Sequence, residues 1–252
     1  MFGFKSKKKE NLNVVDIHCH ILPGIDDGSK DMKESLEMLR IAEKEGITDI
    51  ILTPHHKEQM GGLNSEEVNK LFAELQAEKD ANNIKVNLYL GSELMYSSSL
   101  IINGELNDLR LNNSNFLLME FNPSISFTKL RTALVNLTRT GSNIILAHAE
   151  RYMCLVDNFD YVEDLIDCDI LFQVNANSVI NKDNKKMYNF VHKLLKNEYV
   201  DFVATDAHSS QFRAPEIADC AKVLYKKYDH EYVDEILYLN AYRYLGVNSG
   251  EQ

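Results

Sequence analysis

The chain has 252 residues, 44% of them hydrophobic and 26% charged, with 27 basic and 38 acidic side chains and a net charge of −11. That length suits one large domain with a substantial core, and the acidic balance argues against a duplex nucleic-acid binder, whose footprint is basic. Four prolines and eleven glycines are too few for a linker-rich chain.

Residues 1–12 read as a basic tail carrying Lys5, Lys7, Lys8 and Lys9, without the apolar stretch a secretory signal needs after its charges. Residues 13–252 read as one domain. Val14–Ile17 is a short β-branched run. Asp31–Glu45 sets Met32, Leu36, Leu39, Ile41 and Ala42 on a helical stripe closed by Gly46, and Asp49–Thr53 is the next apolar run. His56–Asn64, with Gly61-Gly62, reads as a loop. Ser65–Asp80 opens Ser-Glu-Glu and keeps Val68, Leu71, Phe72 and Leu75 on one face, the pattern of a capped amphipathic helix. Val86–Gly91 and Phe116–Glu120 read as strands, and the polar segment Asn103–Asn115 between them as a surface connection. Leu130–Thr140 and Lys186–Lys196 read as helices; Asn143–Ala147, Ile170–Val174 and Phe202–Ala204 read as strands. From Pro215 on, one or two helices are expected with Leu224, Tyr225, Ile236, Leu237 and Leu239 inward.

Seven apolar runs alternating with helices predict repeated βα units around a largely parallel sheet, and the length fits a (β/α) barrel. No apolar run approaches the roughly 18 residues of a membrane-spanning helix, so no integral membrane segment is expected and the cytoplasm is the expected compartment. Cys19, Cys154, Cys168 and Cys220 form no C-x-x-C pair, which disfavours a cysteine zinc site.

The chemistry is announced by position. Metal-capable side chains follow six of the seven runs: His18 and His20 after the first, His55 after the second, Glu93 after the third, Glu120, His148, and finally Asp206 and His208. In parallel βα architectures the C-terminal strand ends form the active face. Residues i and i+2 of a strand point the same way, so His18 and His20 face one locus with Cys19 turned away, and Asp206 and His208 repeat the arrangement. One such pair alone is more often packed or surface histidine. Several imidazoles and carboxylates buried at one mouth would be costly without a cation, and a His/Asp/Glu set without cysteine suits manganese, iron or zinc. Asp26-Asp27-Gly28 reads locally as a turn, but lies close enough to the mouth to add a carboxylate. Arg151 and Arg213 follow ligand segments, and arginine beside a metal cluster suggests a forked anion such as phosphate. His192, His230 and the tyrosines from Tyr225 to Tyr244 read as ordinary surface or helix-packing residues.

These segments together resemble the polymerase-and-histidinol-phosphatase (PHP) superfamily, and within it the protein-tyrosine phosphatases of bacterial capsule and exopolysaccharide loci, the CpsB/YwqE type. The resemblance runs from about Val14 to the end of the chain. It rests on Asp16-Ile-His-Cys-His-Ile-Leu-Pro-Gly-Ile-Asp-Asp-Gly28, Thr53-Pro-His-His56, Gly91-Ser-Glu93, Met119-Glu-Phe121, Ala147-His-Ala-Glu-Arg151 and Thr205-Asp-Ala-His208, in that order. Ala149 stands where many relatives carry proline; it touches no ligand. The resemblance implies a distorted (β/α)7 TIM-like barrel, the PHP fold, holding three divalent metal ions, manganese first with iron or zinc also admitted. It places His18, His20, Glu93 and Asp206 on one ion. Glu93 bridges to a second ion completed by Glu120 and His148, and Asp27, His55 and His208 hold the third. Arg151 and Arg213 would bind phosphate.

The implied reaction is hydrolysis of phosphotyrosine by a metal-activated hydroxide, and the implied partner is the phosphotyrosine tail of a bacterial tyrosine kinase of polysaccharide export. No cysteine has an arginine six residues on, so a phosphocysteine route is not expected. The competing readings are a PHP small-molecule phosphatase such as histidinol-phosphate phosphatase, a metal-dependent amidohydrolase, which also opens with H-x-H, and a non-catalytic metal-binding module.

Overall fold

The computed structural model describes residues 12–56, 65–97 and 105–247. The lysine-rich tail, all but its last residue, and residues 57–64 of the loop that begins at His56 lie outside the described residues.

Parallel strands alternate with helices along the chain. The strands are β1 (Val14–Cys19), β2 (Ile47–Leu52), β3 (Asn87–Leu90), β4 (Glu93–Met95), β5 (Phe116–Glu120), β6 (Asn143–Leu146), β7 (Ile170–Asn175) and β8 (Phe202–Ala204). They form two parallel sheets, in order β1-β2-β3 and β4-β5-β6-β7-β8. The seven expected runs are all present, and an eighth short strand follows the third. At Gly91-Ser92 the chain steps from the first sheet into the second, so that Glu93, expected to follow the third run, opens a strand of its own, β4. Glycine suits the step because a Cβ at Gly91 would stand 2.7 Å from a methyl of Leu111.

Single parallel bridges join the sheets, Cys19 to Ala207 and His55 to Glu93. Around them, the Asp206 amide donates to the His18 carbonyl (2.8 Å) and the His20 amide to the Ala207 carbonyl (2.8 Å). Asp16 reinforces the seam between β1 and β8. Its carboxylate accepts from the Thr205 amide (3.0 Å) and hydroxyl (2.5 Å). Burial pushes this carboxyl up to about 6, against the opposing effect of those hydrogen bonds.

The strands read as unbroken apolar runs because both faces are covered. One face of each packs against helices, as with Val14, Leu117, Ile144 and Val203. The alternate residues Val15, Ile17, Ile51, Leu118, Ile145, Phe202 and Ala204, drawn from both sheets, share a second apolar cluster with Ala241 and Leu245. Helix Met32–Glu45 is capped by Asp31, whose side chain accepts from the Glu34 amide, and is closed by Gly46 at φ 90°.

Three local expectations are corrected. Asn103–Asn115 is not a polar surface connection where described. It contains two 3-10 turns, Glu105–Leu109 and Leu111–Asn113, and buries Leu106, Leu109 and Leu111. Its leucines recur too irregularly to show a helical period, yet they fill the space beside the step at Gly91. His192 is half-buried, with hydrogen bonds to Tyr228 and the Val179 carbonyl. Leu239 is 36% exposed rather than inward, because Glu235–Leu239 winds as a π-helix between His230–Asp234 and Asn240–Leu245, shifting the apolar face by a residue.

Asp201 sits at the base of β8, far from the strand ends that carry the chemistry. It accepts a 2.7 Å hydrogen bond from the Phe172 amide. Burial raises this carboxyl from 3.8 to about 7, against that hydrogen bond. The folded state therefore keeps a proton that the unfolded chain releases, and stability falls as pH rises from about 4 to about 7. Asp201→Asn keeps the carbonyl acceptor and removes the charge. It is expected to raise the melting temperature at pH 8 by several degrees, about 2 kcal/mol, with the gain vanishing near pH 4. Thermal denaturation at the two pH values checks this.

Candidate active site

Glu93, the first residue of β4, is the centre of the site. Its Oε2 lies 3.2 Å from His18 Nε2, His20 Nε2 and His55 Nδ1. Its Oε1 lies 3.0 Å from His148 Nε2, which is 3.3 Å from Glu120 Oε1. One buried carboxylate thus touches imidazoles delivered by β1, β2 and β6. The two Nε2 atoms of His18 and His20 are 3.3 Å apart, as the same-face rule for i and i+2 requires. Cys19 faces the other way, with its thiol 3.8 Å from the Ile51 carbonyl.

Around the hub the expected residues converge in overlapping groups. His18, His20 and Glu93 form one, with Asp206 Oδ1 at 3.5 Å from His18 and 3.7 Å from His20. His55, Glu93 and Glu120 form another, beside His148. Asp27, His55 and His208 form the third, joined by His20. Asp27 Oδ1 lies 3.5 Å from His55 Nε2 and 3.6 Å from His208 Nε2, and at 64% side-chain exposure it marks the outer edge of the mouth. His20 and His55 each stand between two groups, a sharing not foreseen from the sequence.

The electrostatics of the cluster call for positive charge. Burial alone would lower the basicity of His20, but the Asp26 and Glu93 carboxylates outweigh it and hold the imidazole at about 10. His148 is held near 9 by Glu120 and Glu93 against the same burial. Burial would favour neutral Glu93, yet His18, His148 and His20 keep it well below the usual carboxylate range. Imidazolium protons here do what divalent cations would do, and ion binding displaces such protons. An all-nitrogen-and-oxygen donor set crowded to 3.0–3.7 Å fits hard or borderline divalent ions.

Asp206 is the second focus. Arg151 and Arg213 both reach its Oδ2, at 2.5 and 2.7 Å. Burial opposes ionisation of Asp206, but His18, Arg151 and Arg213 keep its pKa far below normal. Two guanidiniums meeting on one oxygen at the rim leave further N–H donors for an anion. His148 (φ 34°) and Asp206 (φ 52°) lie in the left-handed region. For a side chain other than glycine this costs on the order of 1 kcal/mol. It turns the chain sharply just past β6 and β8, where strain of this kind gathers at functional sites.

A supporting layer fixes these side chains. Asp26, rather than Asp27, holds His20: its Oδ2 is 2.8 Å from His20 Nδ1 and accepts from the His55 amide at 3.0 Å. Gly28 lets the turn close over His20, since a Cβ there would meet the His20 carbonyl oxygen at 2.2 Å. Gln173 Oε1 lies 3.1 Å from His18 Nδ1 and accepts from the His148 amide at 2.8 Å. The Gln173 amide donates to Asn175 Oδ1, and Asn175 donates to Asp206 Oδ2 (2.8 Å). Glu150 is fully buried, accepting from the Asn175 amide at 3.0 Å. Gln173 and Asn175 were not singled out from the sequence. The available signal was two polar residues at i and i+2 ending β7, the one run without a metal-capable residue.

Parallel strands that carry imidazoles and carboxylates to one mouth, with two arginines at its rim, define a metal-binding α/β protein receptive to anions. The family model described as capsular polysaccharide synthesis, CpsB/CapC, matches residues 14–246, and the chain belongs to that family. It is 28% identical over 237 residues to the tyrosine-protein phosphatase CpsB of Streptococcus agalactiae, covering 90% of this chain and 96% of the relative. It is 33% identical over 198 residues to a putative tyrosine-protein phosphatase CapC of Staphylococcus aureus, covering 78% of this chain and 77% of the relative. A solved structure from work on YwqE of Bacillus subtilis and CpsB of Streptococcus pneumoniae, metal-dependent tyrosine phosphatases, superposes with a TM-score of 0.80 at 27% identity. It covers 87% of this chain and 89% of its own.

Proposed function

We propose that this chain is a metal-dependent protein-tyrosine phosphatase, a phosphoric monoester hydrolase. The observation that carries the reading is the meeting of four imidazoles on Glu93 beside two arginines on Asp206, in a chain of the CpsB/CapC family. Residues 13–252 act as one domain, and the two sheets work together as a distorted seven-unit barrel whose C-terminal mouth is the active site.

His18, His20, Glu93 and Asp206 would hold one ion, Glu93, Glu120 and His148 a second, and Asp27, His55 and His208 a third, manganese being the first choice and iron or zinc the others. When bound, such ions supply Lewis acidity and make water a stronger nucleophile near neutral pH. The protein's own contribution is orientation and charge. Arg151 and Arg213 turn from Asp206 toward the phosphate oxygens and neutralise charge that builds in the transition state. Asp26 and Gln173 lock the His20 and His18 rings, and buried Glu93 keeps the imidazoles facing inward. A tyrosine phenolate, with a pKa of about 10, departs without a strong general acid. The substrate is a phosphotyrosine-bearing tail of a bacterial tyrosine kinase of polysaccharide export, met in the cytoplasm. Among the described residues no helix is long and apolar enough to cross a membrane.

Turnover of a phosphotyrosine peptide against histidinol phosphate tests the reading. The peptide is expected to be hydrolysed with kcat/KM at least about tenfold higher, a difference of about 1.4 kcal/mol in transition-state binding. A preference for histidinol phosphate, or phosphate release from neither by the metal-loaded protein, would refute it.

A further inference from the structure

Among the described residues five large apolar side chains are notably exposed: Met95, Met153, Ile180, Phe212 and Leu239. Three of them stand within two residues of a site residue. Met95 (37% exposed) is two residues beyond Glu93 on β4, hence on the same strand face, and is registered against Glu120. Met153 (43%) is two residues beyond Arg151, its amide bonded to the Pro123 carbonyl just past β5. Phe212 (92%) immediately precedes Arg213.

The segment bearing Phe212 is rigidly built. The Ser209 hydroxyl accepts from the Phe212 and Arg213 amides, both at 3.1 Å, and the His208 amide donates to the Arg213 carbonyl at 2.8 Å. Arg213 also donates to the Asp206 carbonyl at 3.0 Å. A loop so tied holds an almost fully solvated aromatic ring at the edge of the mouth, where it contributes nothing to the fold. Single exposed apolar residues are ordinary, but several that flank the residues of one charged site point to a contact surface. Methionine is suited to that use because it adapts to varied apolar partners.

We propose that Phe212, Met153 and Met95 form an apolar collar that receives the side chains flanking the phosphotyrosine, so that the preferred substrate class is a phosphotyrosine peptide with apolar neighbours. The proposal rests on the reading of this chain as a phosphotyrosine phosphatase. Phosphate drawn to Arg151 and Arg213 leaves the aryl ring pointing outward and brings the adjoining peptide residues to the collar.

The metal-loaded full chain is first assayed with p-nitrophenyl phosphate; no turnover there sinks the phosphatase reading itself. It is then given two peptides, with leucine or with serine on both sides of the phosphotyrosine. The leucine peptide is expected to be favoured about fivefold in kcat/KM, mainly through KM, as partial burial of one or two apolar side chains would give. The ratio of the two values is taken within each variant, so differences in the amount of folded enzyme cancel. In Phe212→Ser and Met153→Ser the ratio should fall toward 1, and in Leu239→Ser, beside Asn240 at the base of β8, it should hold. A wild type that hydrolyses p-nitrophenyl phosphate but shows no preference overturns the collar, as does a preference that survives in both Phe212→Ser and Met153→Ser.

Discussion

His18→Ala and Asp206→Ala are each expected to reduce phosphotyrosine-peptide turnover by more than about a hundredfold, beyond the 10–100-fold typical of losing a residue that merely supports a metal ligand. The two act differently. His18 Nε2 faces both Glu93 and Asp206, so its loss removes a donor from the centre of the cluster and leaves Glu93 short of positive charge. Asp206 is the carboxylate on which Arg151 and Arg213 converge. Its removal takes away a ligand and releases both guanidiniums from their anchor. Neither side chain belongs to the apolar clusters that hold the sheets together, so circular dichroism should report an intact fold. Metal analysis should show reduced content in both variants. Asp206→Asn preserves shape and the bond from Asn175 but not the charge, and it is expected to be as inactive as the alanine. Full turnover in His18→Ala and Asp206→Ala would remove the basis of the site assignment.

Chelation and thiol alkylation should have opposite outcomes. Dialysis against a strong chelator is expected to bring activity to about 1% or less, with recovery on adding manganese, because the buried carboxylates and imidazoles then lack the divalent charge that would activate water. Iodoacetamide should leave activity unchanged. Cys19 and Cys220 are buried, and burial pushes both thiols far above their usual range. Burial also raises Cys154. Since the thiolate is the reactive form, alkylation of these three should be slow, and the Cys19 thiol, the one nearest the histidines in the chain, faces the Ile51 carbonyl instead of the cluster. Inactivation by iodoacetamide together with resistance to chelator would point to a cysteine nucleophile and end the metal reading.

The ligand-type side chains can be found in the linear chain because two signals coincide there. Strands buried on both faces show as apolar runs, and their C-terminal ends are where parallel architectures place chemistry. His18, His20, His55, Glu93, Glu120, His148, Asp206 and His208 therefore stand out by position alone, and Asp27, Arg151 and Arg213 by what they follow. Helices with caps and a full apolar stripe, such as Met32–Glu45, were equally plain. Met153–Asp157 and Asp160–Ile166 were not, because five and seven residues are too few turns to display a period.

The alternation of strand and helix and the donors offered to the mouth are legible in the linear chain, since they depend on local pattern and donor chemistry. That Glu93 is the hub, that Asp26 rather than Asp27 holds His20, and that Gln173 and Asn175 tie β7 to His18 and Asp206 emerges only on folding. Folding alone also adds the short strand β4 after the third run, where the chain crosses between sheets at Gly91-Ser92. Such pairings join residues as far apart as His18 and Gln173, 155 positions along the chain. They follow from strand register, from left-handed turns at His148 and Asp206, and from the close approach of backbones at Gly28 and Gly91. None of these is a property of a short stretch of residues; each exists only once distant segments have packed.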